Sequence, residues 1–105
     1  MSDERPVYMI ANLSITNHDE YAQYTNSFIP ILESFGGNFV TYDDEPVTLE
    51  GQSPRKGRMV IFRFPSEHSA NDWYRSEAYQ AISEHRRSGS KLEFLTMVRG
   101  LISNS

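Results

Sequence analysis

The chain has 105 residues, a net charge of −4, 38% hydrophobic and 23% charged residues, the balance of one soluble globular domain and not of a disordered chain. Lysine occurs only at Lys56 and Lys91, which leaves no basic stripe to track a phosphate backbone and argues against nucleic acid as a partner. The absence of cysteine excludes disulfides, a thiol nucleophile and cysteine-ligated zinc.

No apolar run approaches the ~20 residues that span a bilayer, and "MSDERPV" lacks the apolar core of a signal peptide. A cytoplasmic protein without membrane contact is therefore expected. The first element is "VYMIANLSI", Val7 to Ile15, bounded by Pro6 and by Thr16-Asn17. Period-two alternation puts Val7, Met9, Ala11 and Leu13 on one face and Tyr8, Ile10, Asn12 and Ser14 on the other. Both faces are largely apolar, which predicts a central strand.

Thr16 or Asn17 suits a helix N-cap, with Asp19 and Glu20 in the first turn. The following helix carries Tyr21, Tyr24, Phe28, Ile31/Leu32 and Phe35 in steps of three and four, one apolar stripe. Pro30 lies inside this pattern and is expected to kink it, and Gly36-Gly37 end it. A short strand, "NFVTYD", and a long polar loop or irregular hairpin, "DEPVTLEGQSPRKG", come next. The loop holds two glycines without matching a phosphate-binding pattern, and is read as a mobile rim.

"RMVIFRF", Arg58 to Phe64, is the second central strand, with Met59, Ile61 and Arg63 alternating against Val60, Phe62 and Phe64. Pro65-Ser66 stops it, and Ser66 caps a helix over "EHSANDWYR". Ser76 re-caps the helix, which continues through "EAYQAISEHRR" to Ser88-Gly89. Ala78, Ile82 and His85 are expected to carry its inward face on from Trp73 or Tyr74. "KLEFLTMVRG" is the last strand and "LISNS" a tail.

The order β-α-β-β-α-β predicts an α+β, ferredoxin-like domain over residues 1–105, with a core over about 7–100 and flexible ends at 1–5 and 101–105. Right-handed crossovers place the first and third strands at the centre of a four-stranded antiparallel sheet with both helices on one face. The other face is left open, and its simplest cover is a second copy of the chain.

The segments "TNHDEYAQY", "FGG", "LEG", "RMVIFRFPS", "WYRSEAYQA", Arg86 and "VRG" together resemble the small bacterial domain-of-unknown-function 1330 family, over about Val7 to Gly100. The combination of Phe64-Pro65-Ser66, Trp73-Tyr74, Ser76 and Tyr79 carries the resemblance. It implies subunits that pair sheet to sheet as a dimeric α/β barrel. The wider superfamily includes cofactorless monooxygenases, isomerases, polyketide-shaping proteins and haem-degrading enzymes, so the fold does not select a reaction. Arg63 and Arg99 stand where the family pattern is acidic, and Glu77-Ala78 where it has proline and glutamate. Were both arginines to face the barrel lumen, an anionic ligand such as a carboxylate or phenolate would be expected instead of a cation.

His18, His68 and His85 form no metal-ligating spacing, and neither a metal nor a cofactor is expected. Ser66 lacks the flanking glycines of a nucleophile elbow. Acid-base chemistry requires a polar group held in an apolar pocket. Asn12 and Arg63, projecting into one lumen, would polarise a carbonyl or enolate oxygen, with His68 as a weaker catalytic candidate. Tyr8, Tyr74, Arg86 and Arg99 are the candidate ligand-binding residues, with Tyr79 closing the pocket. Trp73, Tyr74 and Tyr79 also suit simple helix-to-sheet packing, and Arg86 suits a helix C-terminus with a partner carboxylate. Two functions follow. One is a cofactor-independent enzyme, of isomerase, cyclase or monooxygenase type, acting on an oxygenated aromatic or polyketide-like carboxylic acid. The other is a non-catalytic homodimeric binding or accessory protein.

Overall fold

The computed structural model describes residues 5–52 and 56–102. The elements are β1 (Val7–Ile15), α1 (His18–Ser34), β2 (Asn38–Asp43), β3 (Arg58–Phe64), α2 (Glu67–Arg75), α3 (Glu77–Gly89) and β4 (Ser90–Arg99). The sheet runs β2-β3-β1-β4 with every neighbouring pair antiparallel. This is the predicted order, with β1 and β3 central. Residues 1–4 and 103–105 of the expected flexible ends lie outside the described residues.

Local signals set the boundaries. Asn17 caps α1 by accepting the Glu20 amide at 3.0 Å, and Pro30 lies inside α1 without ending it. Ser66 caps α2 through the Ser69 amide at 3.1 Å. Ser76 serves both sides of a break: its hydroxyl donates to the Trp73 carbonyl at 2.7 Å and accepts the Tyr79 amide at 3.1 Å. Gly36, at φ 82°, follows the end of α1 in the left-handed conformation that glycine adopts freely. Gly57, also at φ 82°, enters β3 so close to β1 that a Cβ there would lie 2.4 Å from the Leu13 carbonyl oxygen.

The break at Ser76 re-phases the helix. The buried residues of α3 are Tyr79, Ser83, Arg86 and Gly89, and the expected inward residue Ala78 is exposed. A new N-cap starts a new axis, so the stripe that holds Ala70 and Trp73 in α2 does not continue in register.

The core lies between the helices and the sheet face bearing Val7, Met9, Ala11 and Leu13. Its centre is aromatic: Trp73 packs on Tyr79 at 4.0 Å, on Phe64 at 5.2 Å and on Phe62 at 5.3 Å between ring centroids. Such tilted and edge-to-face pairs add about 0.5–1.5 kcal/mol each beyond the area they bury. On the opposite sheet face Tyr8, Ile10, Met59, Ile61 and Arg63 are half-buried, and among the described residues no helix covers them.

Candidate functional site

A cavity of about 310 Å³ lies at the end of the sheet where β1 finishes, between the sheet and helices α1 and α3. Ala11 and Leu13 of β1, Val60 and Phe62 of β3, and Leu92 and Leu95 of β4 form its floor. Phe28 and Ile29 of α1 wall it on the helix side. Thr25, Phe39, Tyr42 and Leu92 are the exposed members of the wall and mark where it opens.

The polar groups gather on the helix side and at the mouth: Tyr21 and Tyr24 from α1, Tyr79 and Arg86 from α3, and Arg58 from β3. The Tyr24 and Tyr79 hydroxyls share a hydrogen bond of 3.0 Å. Arg86 is 5% exposed. Among the described residues it has no carboxylate partner, and its Nε is buried without a hydrogen bond. The indole Nε1 of Trp73, stacked on Tyr79, is likewise buried and unbonded. A buried charge without an opposite charge beside it is costly, and Arg86 holds its guanidinium there with one donor unbonded.

The charge is nevertheless retained. Burial works against the ionised guanidinium, but the phenols of Tyr79, Tyr24 and Tyr74 offset it and raise the Arg86 pKa above its ordinary value. Burial pushes the Tyr24 phenol well above its ordinary value, reinforced by the neighbouring Tyr79. Burial raises Tyr21 too, against the opposing pull of Arg58 and Arg86. The cavity therefore offers a buried cation without a carboxylate partner among the described residues, and neutral phenols, in a largely apolar enclosure, a setting that favours an anion. Among the described residues no three histidine or acidic side chains converge as a metal-holding group.

Of the site residues singled out in the sequence, Arg86 and Tyr79 line this cavity. Asn12 and Arg63 do share the uncovered sheet face with Tyr8. Asn12 stands opposite Met59 and Arg63 opposite Tyr8, four residues or roughly 13 Å apart along the strand. They do not converge on one oxygen. The Asn12 side chain is 1% exposed, and its amide donates to the carbonyls of Lys56 at 2.9 Å and Arg58 at 3.2 Å. It ties down the entry to β3.

Arg99 does not share the uncovered face with Arg63. It stands opposite Val7, and alternation along β4 sends it to the helix side, where its guanidinium forks onto Glu67 at 3.0 and 3.2 Å. The His68 side chain is 84% exposed on the outside of α2, 3.2 Å from the carboxylate of Asp72 one turn on. Tyr74 is exposed, and its ring lies against Trp73 and Tyr79 outside the cavity wall. The members that sequence reasoning missed are Tyr21, Tyr24 and Arg58. Arg58 carried a usable signal, since it alternates in phase with Val60 and Phe62 and so belongs to the core face.

The sheet order, the helices on one face and the cavity between them define a ferredoxin-like α+β subunit, the fold from which dimeric α/β barrels are built. The chain belongs to the family described as domain of unknown function DUF1330, whose profile matches residues 6–101. No curated protein matches it. Among solved structures it is similar to methylated RPA0582, with a TM-score of 0.75 and 20% identity over 97% of this chain and 85% of that one. The structure of RPA0582 described as a protein of unknown function from Rhodopseudomonas palustris gives 0.72 and 21% over the same shares. SnoaB, a cofactor-independent oxygenase from Streptomyces nogalater, gives 0.56 and 12% over 94% of this chain and 96% of that one. At these identities the likeness is one of fold.

Proposed function

We propose that this chain is a cofactor-independent enzyme that takes an oxygenated aromatic or polyketide-like carboxylic acid into the cavity between sheet and helices. The observation that carries this reading is Arg86, a buried cation with no carboxylate partner among the described residues, in a mostly apolar cavity. An anionic carboxylate, phenolate or enolate oxygen would satisfy it, and the Tyr24–Tyr79 pair would add a hydrogen bond from a neutral phenol. Charge held there on a phenolate or enolate keeps the conjugated carbon electron-rich. Proton-transfer isomerisation, aldol-type ring closure and reaction with dioxygen each proceed from such a carbon. The fold shared with SnoaB, a cofactor-independent oxygenase, is in keeping with it.

A second reading has its own observation. Among the described residues lining the cavity there is no carboxylate or histidine to remove a proton. A non-catalytic homodimeric binding or accessory protein would need none. In either reading the uncovered sheet face pairs with a second copy, in a cytoplasmic homodimer.

Binding and turnover separate the two. Intrinsic fluorescence should report saturable binding of hydroxyaromatic acids, because Tyr21, Tyr24 and Tyr79 line the cavity and Trp73 stacks on Tyr79. Arg86→Met should weaken that binding at least about thirty-fold, the loss of a charge-assisted contact. Oxygen uptake or a new product by mass spectrometry supports the enzyme. Binding without either across the panel supports the accessory protein, and binding unaffected by Arg86→Met overturns both.

A further inference from the structure

Arg58 is the second cation of the cavity wall, and unlike Arg86 it is occupied. Its Nε and Nη2 donate to the two carboxylate oxygens of Asp44 at 2.7 and 3.2 Å, and its guanidinium lies 4.2 Å from the centre of the Tyr42 ring. Arg58 is mostly buried, with 19% of its side chain exposed, whereas Asp44 is 59% exposed. Asp44 follows the end of β2 and is joined to Arg58 across the intervening polar loop. The cation is thus part of the cavity, and the anion that covers it is an exposed side chain at the mouth.

A bidentate carboxylate on a guanidinium is the arrangement a ligand carboxylate would adopt at the same place. Asp44 is the exposed member of the pair, so water solvates it once it is freed, and an incoming carboxylate restores both hydrogen bonds to Arg58. Exchanging Asp44 for another carboxylate therefore costs little, and the planar fork of Arg58 remains set against Tyr42. We infer that Arg58 is a second anion subsite, filled by Asp44 in the empty cavity, and that the preferred ligand is an aromatic acid with two acidic groups, one on Arg86 and one displacing Asp44. Asp44 then acts as an internal competitor that excludes ligands with a single anionic group from the mouth. This rests on the reading of Arg86 as the inner anion site.

The test compares a naphthalene monocarboxylate with the matching naphthalene dicarboxylate in fluorescence titrations of the intact protein. The dicarboxylate should bind about ten-fold tighter. Asp44→Asn, a change at an exposed side chain, should tighten the dicarboxylate about five-fold and leave the monocarboxylate within about two-fold. Arg58→Met should remove the dicarboxylate advantage, with thermal melting used to confirm that the variant is folded. Equal affinities for the two acids, or an Asp44→Asn variant that changes both alike, overturn the second subsite while leaving the Arg86 reading standing; Asp44 would then only tie the ends of the loop together. Failure of both acids to bind overturns the Arg86 reading and the second subsite with it.

Discussion

The hydroxyls of Tyr24 and Tyr79 meet at 3.0 Å between α1 and α3. Tyr79 also stacks on Trp73 at 4.0 Å, so one contact joins both helices and the aromatic core to the cavity wall. Only one of the two hydroxyls donates in this bond. The proton of the other remains available to an oxygen placed beside Arg86. Replacing Tyr24 with Phe should cost about 1 kcal/mol of stability, since it removes one buried hydrogen bond. Urea denaturation should show a lower midpoint at unchanged m. A midpoint equal to wild type would mean that the two hydroxyls are not bonded in solution.

Alkaline pH gives a second view of the same pair. Burial raises Tyr24 well above the ordinary value of 10.0 and raises Tyr21 above it. Both phenols bind their protons more tightly in the folded chain than in the unfolded one. Their contribution is complete below the unfolded pKa, near pH 10, and is lost as pH rises through the folded values, because the unfolded state ionises first. Stability should therefore be flat across neutral pH on this account and fall above about pH 10. Tyr24→Phe should shallow that fall, read as urea midpoints at successive pH values. An equally steep fall in the variant would assign the alkaline sensitivity to other groups.

The sequence was most legible where structure is local. Alternation along Val7–Ile15 and Arg58–Phe64 identified the two central strands, and Asn17, Ser66 and Ser76 announced the helix starts that they do cap. The site was less legible because its face depends on relationships between elements. Arg99 shares a face with Leu95 and Met97, which pack on the core, and Arg63 does not. The β-bulge in β4 beside Asn12 and Leu13 changes the phase along that strand, so counting from its start misleads. Arg86 was visible as a helix-terminal cation. That no described carboxylate pairs with it becomes apparent only when α1, α3 and the sheet are assembled around it.

The uncovered sheet face yields a third prediction. Ile61 is half-buried at the middle of β3, opposite Ile10 on β1 and Thr41 on β2. In a sheet-to-sheet homodimer it would lie inside the interface, and a lysine there would bury an unpaired charge, next to the like charge of Arg63 on the same strand face. Ile61→Lys should convert a dimer to a monomer by light scattering and leave inner-cavity binding measurable, because Ile61 lies on the other side of the sheet from the cavity. A variant that stays dimeric would move the interface elsewhere.

Arg86 separates stability from function most directly. As a buried cation with no carboxylate partner among the described residues, it costs folding energy that a flexible apolar side chain of similar length would not. Arg86→Met should therefore stabilise the empty protein by about 1–3 kcal/mol while removing its affinity for anions. For a chain of this size each kcal/mol moves the melting temperature by about 4–8 °C. Saturating hydroxyaromatic acid should raise the melting temperature of the wild type and not that of the variant. A group retained for packing alone would behave oppositely: its replacement would lower the melting temperature, and ligand would stabilise both forms equally. A more stable protein that no longer responds to anions is the signature of a charge held against the fold for the sake of a ligand.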